Sequence, residues 1–493
     1  YPFGLGFWGP NTHDGIWHLS LINQLIKSVP PENPIFAGVV LKNYHFFYDL
    51  LIAATGYLST IPPIDLVFRF YPIILSLMLG IGTYYLVFNL FKDKLAVLFS
   101  LYFVYFAGSF GWIVSYIKDK SLAGESAFWA NQSISFNLNP PFAISLVIII
   151  ALIHIFSTFD KKTKSNLFLA SLLTGSLIGF KAYGAALILG SVFILGILKR
   201  QLSYLLVFVG GMLLSALIFF SNFQVTSQLL IFSPFWLIHS MIDSPDRVGW
   251  MKLSLARQAG FEKSNWFKFI SVEALSLIIF IVGNLGFRVL SLGSLIKIRN
   301  IFKDNIFLFL LIFSIISFLI PILFIQSGNP WNTIQFSYYG LYIGALFGGA
   351  TLSYLFFKLP KFLSVLIIFT VLILTPINSV VTATYYTGYL PHAKVDQKEI
   401  EALDFLSKQE NGVVLTYPYD KKIKQKIAEP WPLFAYDSTT YVSALSKKSV
   451  YIEDEPQNQI LLTDYKKRLV ASKDFFFSGT NGKTFLKENK IKF

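Results

Sequence analysis

Residues 13–18, His-Asp-Gly-Ile-Trp-His, set one carboxylate and two imidazoles beside a tryptophan. Asp14 and His18 are four apart, so on a helix they share a face with Trp17 between them. Asn11 or Thr12 can cap such a helix, and Ile16, Leu19, Ile22 and Ile26 supply its apolar stripe. Asp14 falls in the first turn, where the helix dipole favours an ionised carboxylate. An acid held ionised there can act as a general base or a metal ligand. An interfacial helix with a tryptophan anchor would use the same residues without chemistry. A second pair follows in "NYHFFYDLL", residues 43–51, where His45 and Asp49 are again four apart. The intervening "SVPPENP" turns the chain, so two helices can fold back and bring both Asp–His pairs together. Asp14, His13, His18 and Asp49 would then suit Mg²⁺ or Mn²⁺, with mutual Asp–His hydrogen bonds as the alternative.

Three charges sit within or at the edge of apolar runs: Arg69, Lys181 in "GFKAYG", and Glu273. Burying an ionisable group in lipid is costly, so such residues are functional candidates. Arg69 and Lys181 can hold a phosphate or diphosphate; Arg69 can equally snorkel to headgroups. Arg247, in "SPFWLIHSMIDSPDRVGW" with Asp243 and Asp246, is a third phosphate candidate. Two further stretches are rich in amides and aromatics. "FWANQSISFNLNPP" carries Trp129, Asn131, Gln132, Asn137 and Asn139; "GNPWNTIQFSYYG" carries Trp331, Asn332, Gln335, Tyr338 and Tyr339. Amides bond sugar hydroxyls and aromatic faces pack on sugar rings, although interfacial aromatic belts and helix caps draw on the same residues.

These groups need a scaffold, and the composition points to a membrane. The chain of 493 residues is 54% hydrophobic and 14% charged, with a mean hydropathy of +0.58. Apolar runs at roughly 66–91, 95–117, 140–159, 166–180, 183–198, 202–220, 268–290, 305–326, 338–357 and 362–383 predict a polytopic α-helical membrane protein of about ten spans. The net charge of +14 collects in short loops: Lys92 and Lys94, Lys161–Lys164, Lys199–Arg200, Lys297–Lys303, and Lys358 with Lys361. Simple alternation puts all five loops on one side, the cytoplasm. This explains the basicity without nucleic acid. Residues 1–65, the amide-rich loops and the tail then lie outside. The sequence contains no cysteine, which excludes disulfides and thiolate sites. It opens at Tyr1 in mid-loop, as expected of a fragment or processed form.

From about residue 384 charged residues appear throughout. "VDQKEIEALDFLSKQ" and "NQILLTDYKKRLVAS" have helical periodicity; "GVVLTY", "KSVYIE" and the terminal "KIKF" have that of strands. We therefore expect a transmembrane domain over 1–383, with membrane-edge helices in 1–65, and a small α/β extracytoplasmic domain over 384–493. The tail's "STTYVSALS" can contact a ligand, but no catalytic set is visible there.

This layout resembles the GT-C superfamily of membrane glycosyltransferases. The likeness is carried by "HDGIWH", "NYHFFYDLL", "NPP" and "WNTIQFSYY". It implies a polyprenyl-phosphate-linked sugar donor, transfer with inversion, a plasma-membrane location and a helix preceding residue 1. It also implies that Asp14 occupies the position of the family's first-loop acid. The paired-acid signature of several branches is absent from the first loop. On this reading Asp14, His18 and Asp49 are catalytic. Arg69, Lys181, Arg247, His45, Trp17, Trp129, Asn131, Gln132, Trp331, Asn332 and Gln335 bind substrate. The acceptor is a glycan, a lipid or a protein. The rivals are a transporter or flippase of a lipid-linked or polar solute, and a non-catalytic assembly protein.

Overall fold

A computed structural model describes residues 1–159, 164–222, 230–327, 329–388, 390–478 and 482–493; Lys161 and Lys162 of one basic loop lie outside them. The chain divides into two compact units. One comprises Tyr1–Ile74, Phe219–Val225 and Tyr385–Phe493, the other Leu75–Ile218 and Thr226–Thr384.

The first unit joins the beginning of the chain to its end. Strand β1, Gly4–Phe7, pairs antiparallel with Ala393–Asp396, and that strand pairs in parallel with Trp431–Pro432. Gly4 has φ +129°, and a Cβ there would lie 2.2 Å from the Val395 carbonyl oxygen, so only glycine fits this edge. Isolated parallel bridges tie Val413 to Ile491 and Val414 to Val450. Single residues of "GVVLTY", "KSVYIE" and "KIKF" thus form bridges, short of the full strands their patterns predict. Helix α1, Asp14–Leu25, is buried almost throughout and packs against α2, Phe47–Ser59, and against the tail helix Tyr441–Ser446. Asn23 Nδ2 donates to Ala444 O at 2.8 Å across the latter contact.

In the second unit and its leading helix, length and hydropathy govern. Among the described residues eight helices are long and apolar enough to cross a membrane, or nine if Lys94–Phe106 and Gly111–Asp119, bent by 48°, form one span. Ten were expected. Segment 166–180 forms a helix, Lys164–Phe180, of 17 residues. At ~1.5 Å per residue it falls short of a ~30 Å hydrocarbon core. The helix within Pro330–Lys358 is the most enclosed, with 67% of its apolar window buried, against 22% for Leu202–Ser221. The enclosed helix allows close approach through glycines; a Cβ at Gly349 would meet Ser100 Oγ at 2.3 Å. The peripheral helix exposes Leu213, Leu217 and Phe220, as a lipid-facing surface does.

Candidate active site

In the first unit, α1 begins at Asp14 with His13 at the N-cap, rather than Asn11 or Thr12, and no side chain closes the cap. Asp14 lies in the first turn as expected, with a side chain 54% exposed. Its partner is its neighbour. His13 Nδ1 lies 3.1 Å from Asp14 Oδ1, and His13 Nε2 lies 2.9 Å from Oδ1 of Asp454, a buried tail residue. With a carboxylate at each nitrogen, a doubly protonated ring donates to both. Burial opposes that charge, but the Asp454 carboxylate and the hydrogen bonds to Asp14 and Asp454 outweigh it and hold the imidazole well above its usual pKa. The result is an exposed carboxylate at a helix N-terminus, backed by a cation that a buried carboxylate fixes in place.

His18, one helical turn on, takes a different partner. Its Nδ1 donates to Asp49 Oδ1 at 2.7 Å, joining α1 to α2 in the core. Asp49 is fully buried, and burial raises its pKa while His18 acts to lower it. The two pairs are therefore formed across helices and between neighbours, not along the four-residue spacings. His45 departs most from expectation. The helix carrying Asp49 starts at Phe47, after Asn43 adopts φ +61° and donates to Leu461 O at 2.9 Å. His45 thus precedes the helix and lies against Tyr44, with ring centroids 4.7 Å apart and the planes tilted by 38°. Trp17 is 1% exposed and packs edge-on against Tyr44, a core position. Arg69 is 77% exposed and pairs with Asp65 at 2.7 Å.

The tetrad Asp14, His13, His18 and Asp49 does not form one cluster. Among the described residues no three His, Asp or Glu side chains are placed to hold a metal ion. The geometry explains this. The His13 ring stands between Asp14 and Asp454 and spends both nitrogens on them, and His18 is joined directly to a fully buried Asp49. These residues do not fit the expected Mg²⁺ or Mn²⁺ site.

In the second unit the two amide-aromatic stretches do meet. Lys181, which separates helices Lys164–Phe180 and Ala182–Lys199, donates to Asn139 Oδ1 at 3.4 Å and lies over the Tyr183 ring. Asn139 Nδ2 continues to Gln335 Oε1, at 3.4 Å, and Gln335 Nε2 to Asn332 Oδ1, at 3.2 Å. The Arg247 guanidinium lies 4.4 Å from the Trp129 ring centroid and 3.8 Å from that of Trp331, a double cation–π contact. Asn131 and Gln132 are buried instead of facing outward. Gln132 Oε1 accepts from Arg288 at 3.1 Å, and Arg288 also donates to Ala107 O at 2.6 Å. Gly286 makes this reach possible: a Cβ there would lie 2.3 Å from Gly108 O, so the chains pass backbone against backbone. The sequence reading passed over Arg288, although a lone arginine in an apolar run is itself a signal. It also missed His239, whose Nε2 meets both Glu273 oxygens at 2.8 and 3.0 Å, and the Asp243–Arg257 pair at 2.6 Å.

The other missed group is in the tail. Glu453, beside Asp454, accepts from the backbone N–H groups of Val442 and Ser443 at 3.0 and 3.2 Å. Burial pushes its pKa up to about 8, against the pull of those hydrogen bonds. Its folded-state pKa exceeds the ~4.3 of a free glutamate. The associated stability is complete below the unfolded value and is lost as pH rises through about 8. The melting temperature should therefore fall between about pH 5 and about pH 8. Glu453→Gln, which mimics the protonated form, should flatten that fall in a series of thermal melts in detergent.

No protein-family model matches the chain, and no curated protein matches it in sequence. Solved structures do match. The crystal structure of the Archaeoglobus fulgidus oligosaccharyltransferase in complex with Zn and sulfate aligns with a TM-score of 0.55 at 15% identity, covering 99% of this chain and 64% of that one. This chain has an oligosaccharyltransferase-like fold. The apo form of the same enzyme gives 0.54 at 14% identity, with 99% and 66% coverage. Archaeal oligosaccharyltransferase AglB from the same organism, in complex with an inhibitory peptide and a dolichol-phosphate, gives 0.52 at 13% identity, with 99% and 65% coverage. The chain spans just under two thirds of the length of these oligosaccharyltransferases. The layout expected from the sequence is met at the level of fold.

Proposed function

We propose that the protein is an integral-membrane glycosyltransferase. It moves a sugar from a polyprenyl-phosphate carrier to an acceptor on the extracytoplasmic face of the plasma membrane, with inversion. The observation that carries this reading is Asp14: an exposed carboxylate at a helix N-terminus, braced by His13 from buried Asp454, on an oligosaccharyltransferase-like fold. The solved neighbours with a dolichol-phosphate or a tethered acceptor peptide support a lipid-linked donor and a separate acceptor.

Asp14 takes the proton of the acceptor hydroxyl as its oxygen bonds to the anomeric carbon. The bond from that carbon to the phosphate oxygen breaks, and its electron pair leaves with the phosphate. In the second unit Lys181, oriented by Asn139, supplies positive charge for a phosphate, and Arg247 between its two tryptophans is a second such group. Exposed Arg69 serves lipid headgroups or phosphate. His18 and Asp49 hold α1 in place.

The direct test is reconstitution in vesicles with a radiolabelled polyprenyl-phosphate sugar. Covalent label on an acceptor supports the reading. Movement of label across the bilayer with no covalent product makes the protein a transporter instead.

A further inference from the structure

The tail holds a small acidic cavity. Asp437, Glu453, Asp454 and Glu455 line it, with Tyr419 and Thr439, and its lining contains no lysine, arginine or histidine. Two of its polar groups are themselves buried: Asp454 is 2% exposed and Thr439 is 4% exposed. Asp454 Oδ2 and Thr439 Oγ1 have no hydrogen-bond partner among the described residues. A buried oxygen normally finds a donor, so both ask for one from a ligand. Asp437 has its pKa raised by burial, with His13 lowering it and Asp454 raising it again. The cavity offers about 30 Å³. At roughly 10–15 Å³ for one water-sized group, it takes an ammonium on a methylene and not a sugar ring. Alongside lies an open groove of about 540 Å³ that shares Thr416, Tyr417, Phe434 and Tyr441 with it. Leu403, Leu406, Leu415 and Phe476 give that groove an apolar wall.

We infer that this tail site binds a primary ammonium carried on an apolar body, the ammonium in the acidic cavity and the apolar part in the groove. Charge complementarity selects the ammonium, because a neutral hydroxyl gains little from the Asp437, Asp454 and Glu455 carboxylates. Asp454 belongs both to the cavity and, through its other oxygen, to the His13–Asp14 group. The bound molecule is therefore the acceptor, anchored by its amine while a hydroxyl elsewhere on it reacts. This deepens the transferase reading and rests on it.

The test uses the full chain in detergent, a diazirine-bearing primary alkylamine and its alcohol analogue, with labelled peptides located by mass spectrometry. The amine should label 416–419 and 437–441, and the alcohol should not. Asp437→Asn with Glu455→Gln should cut labelling about tenfold at an unchanged melting temperature. If that double variant fails to fold, raising salt on the unaltered protein should reduce amine labelling and leave any alcohol labelling unchanged. Equal labelling by the alcohol, or labelling indifferent to both the variant and salt, overturns the site. Asp14→Asn should keep full labelling while losing transfer. Absent labelling with intact transfer thus defeats the ammonium site alone, and absent transfer with intact labelling defeats the transferase reading alone.

Discussion

Asp14→Asn should lower sugar transfer by roughly 10²–10⁴-fold, the usual contribution of a positioned general base. Asparagine keeps the shape and can still accept from His13, so the helix start should survive. The side chain is 54% exposed, and surface changes of this kind ordinarily shift stability by no more than about 0.5 kcal/mol. The measurement is transfer from a labelled polyprenyl-phosphate sugar, with a thermal melt beside it. His13→Gln should cost less, because it removes a brace and leaves the base. Undiminished transfer in Asp14→Asn would return residues 11–26 to a structural helix with incidental polar groups.

The order of these effects follows from what each residue touches. Asp14 alone in its group reaches solvent to that extent; His13 is mostly hidden behind it and Asp454 is closed off entirely. Local signals made the first part legible. A four-residue spacing, a first-turn acid and an apolar stripe gave α1, and a proline-rich turn gave its partner helix. Hydropathy marked most of the spanning helices, because lipid imposes a length that a sequence must obey, and it overcounted where an apolar run folds into a helix too short to cross. The partner of His13 was not legible, because Asp454 is 441 positions away and no period links them. Its one trace is three successive acids, Glu453–Glu455, directly after the apolar run Val450–Ile452. Spacing also misled at His45. It assumed a helix that starts two residues later, past a left-handed Asn43 pinned to the tail.

The other large effect should be on stability. Removing one partner of the buried His18–Asp49 pair, as in Asp49→Ala, should cost about 3–5 kcal/mol, since it strands a polar group in a closed core. The pair is 2.7 Å long, and its side chains are 5% and 0% exposed. Asp49 Oδ2 and the Tyr48 hydroxyl beside it already have no hydrogen-bond partner among the described residues. The pair thus ties α1 to α2 while carrying a desolvation cost of its own. Replacing both members with leucine should recover most of the loss, because apolar residues of similar volume avoid that cost. Denaturant or thermal unfolding of the two single variants and the double variant measures the difference. If the double variant is no more stable than Asp49→Ala, the pair contributes more than packing. Transfer per folded molecule decides what that is. A structural pair leaves it unchanged in the double variant, whereas a pair that aims α1 lowers it, since Asp14 stands one helical turn before His18 on that helix.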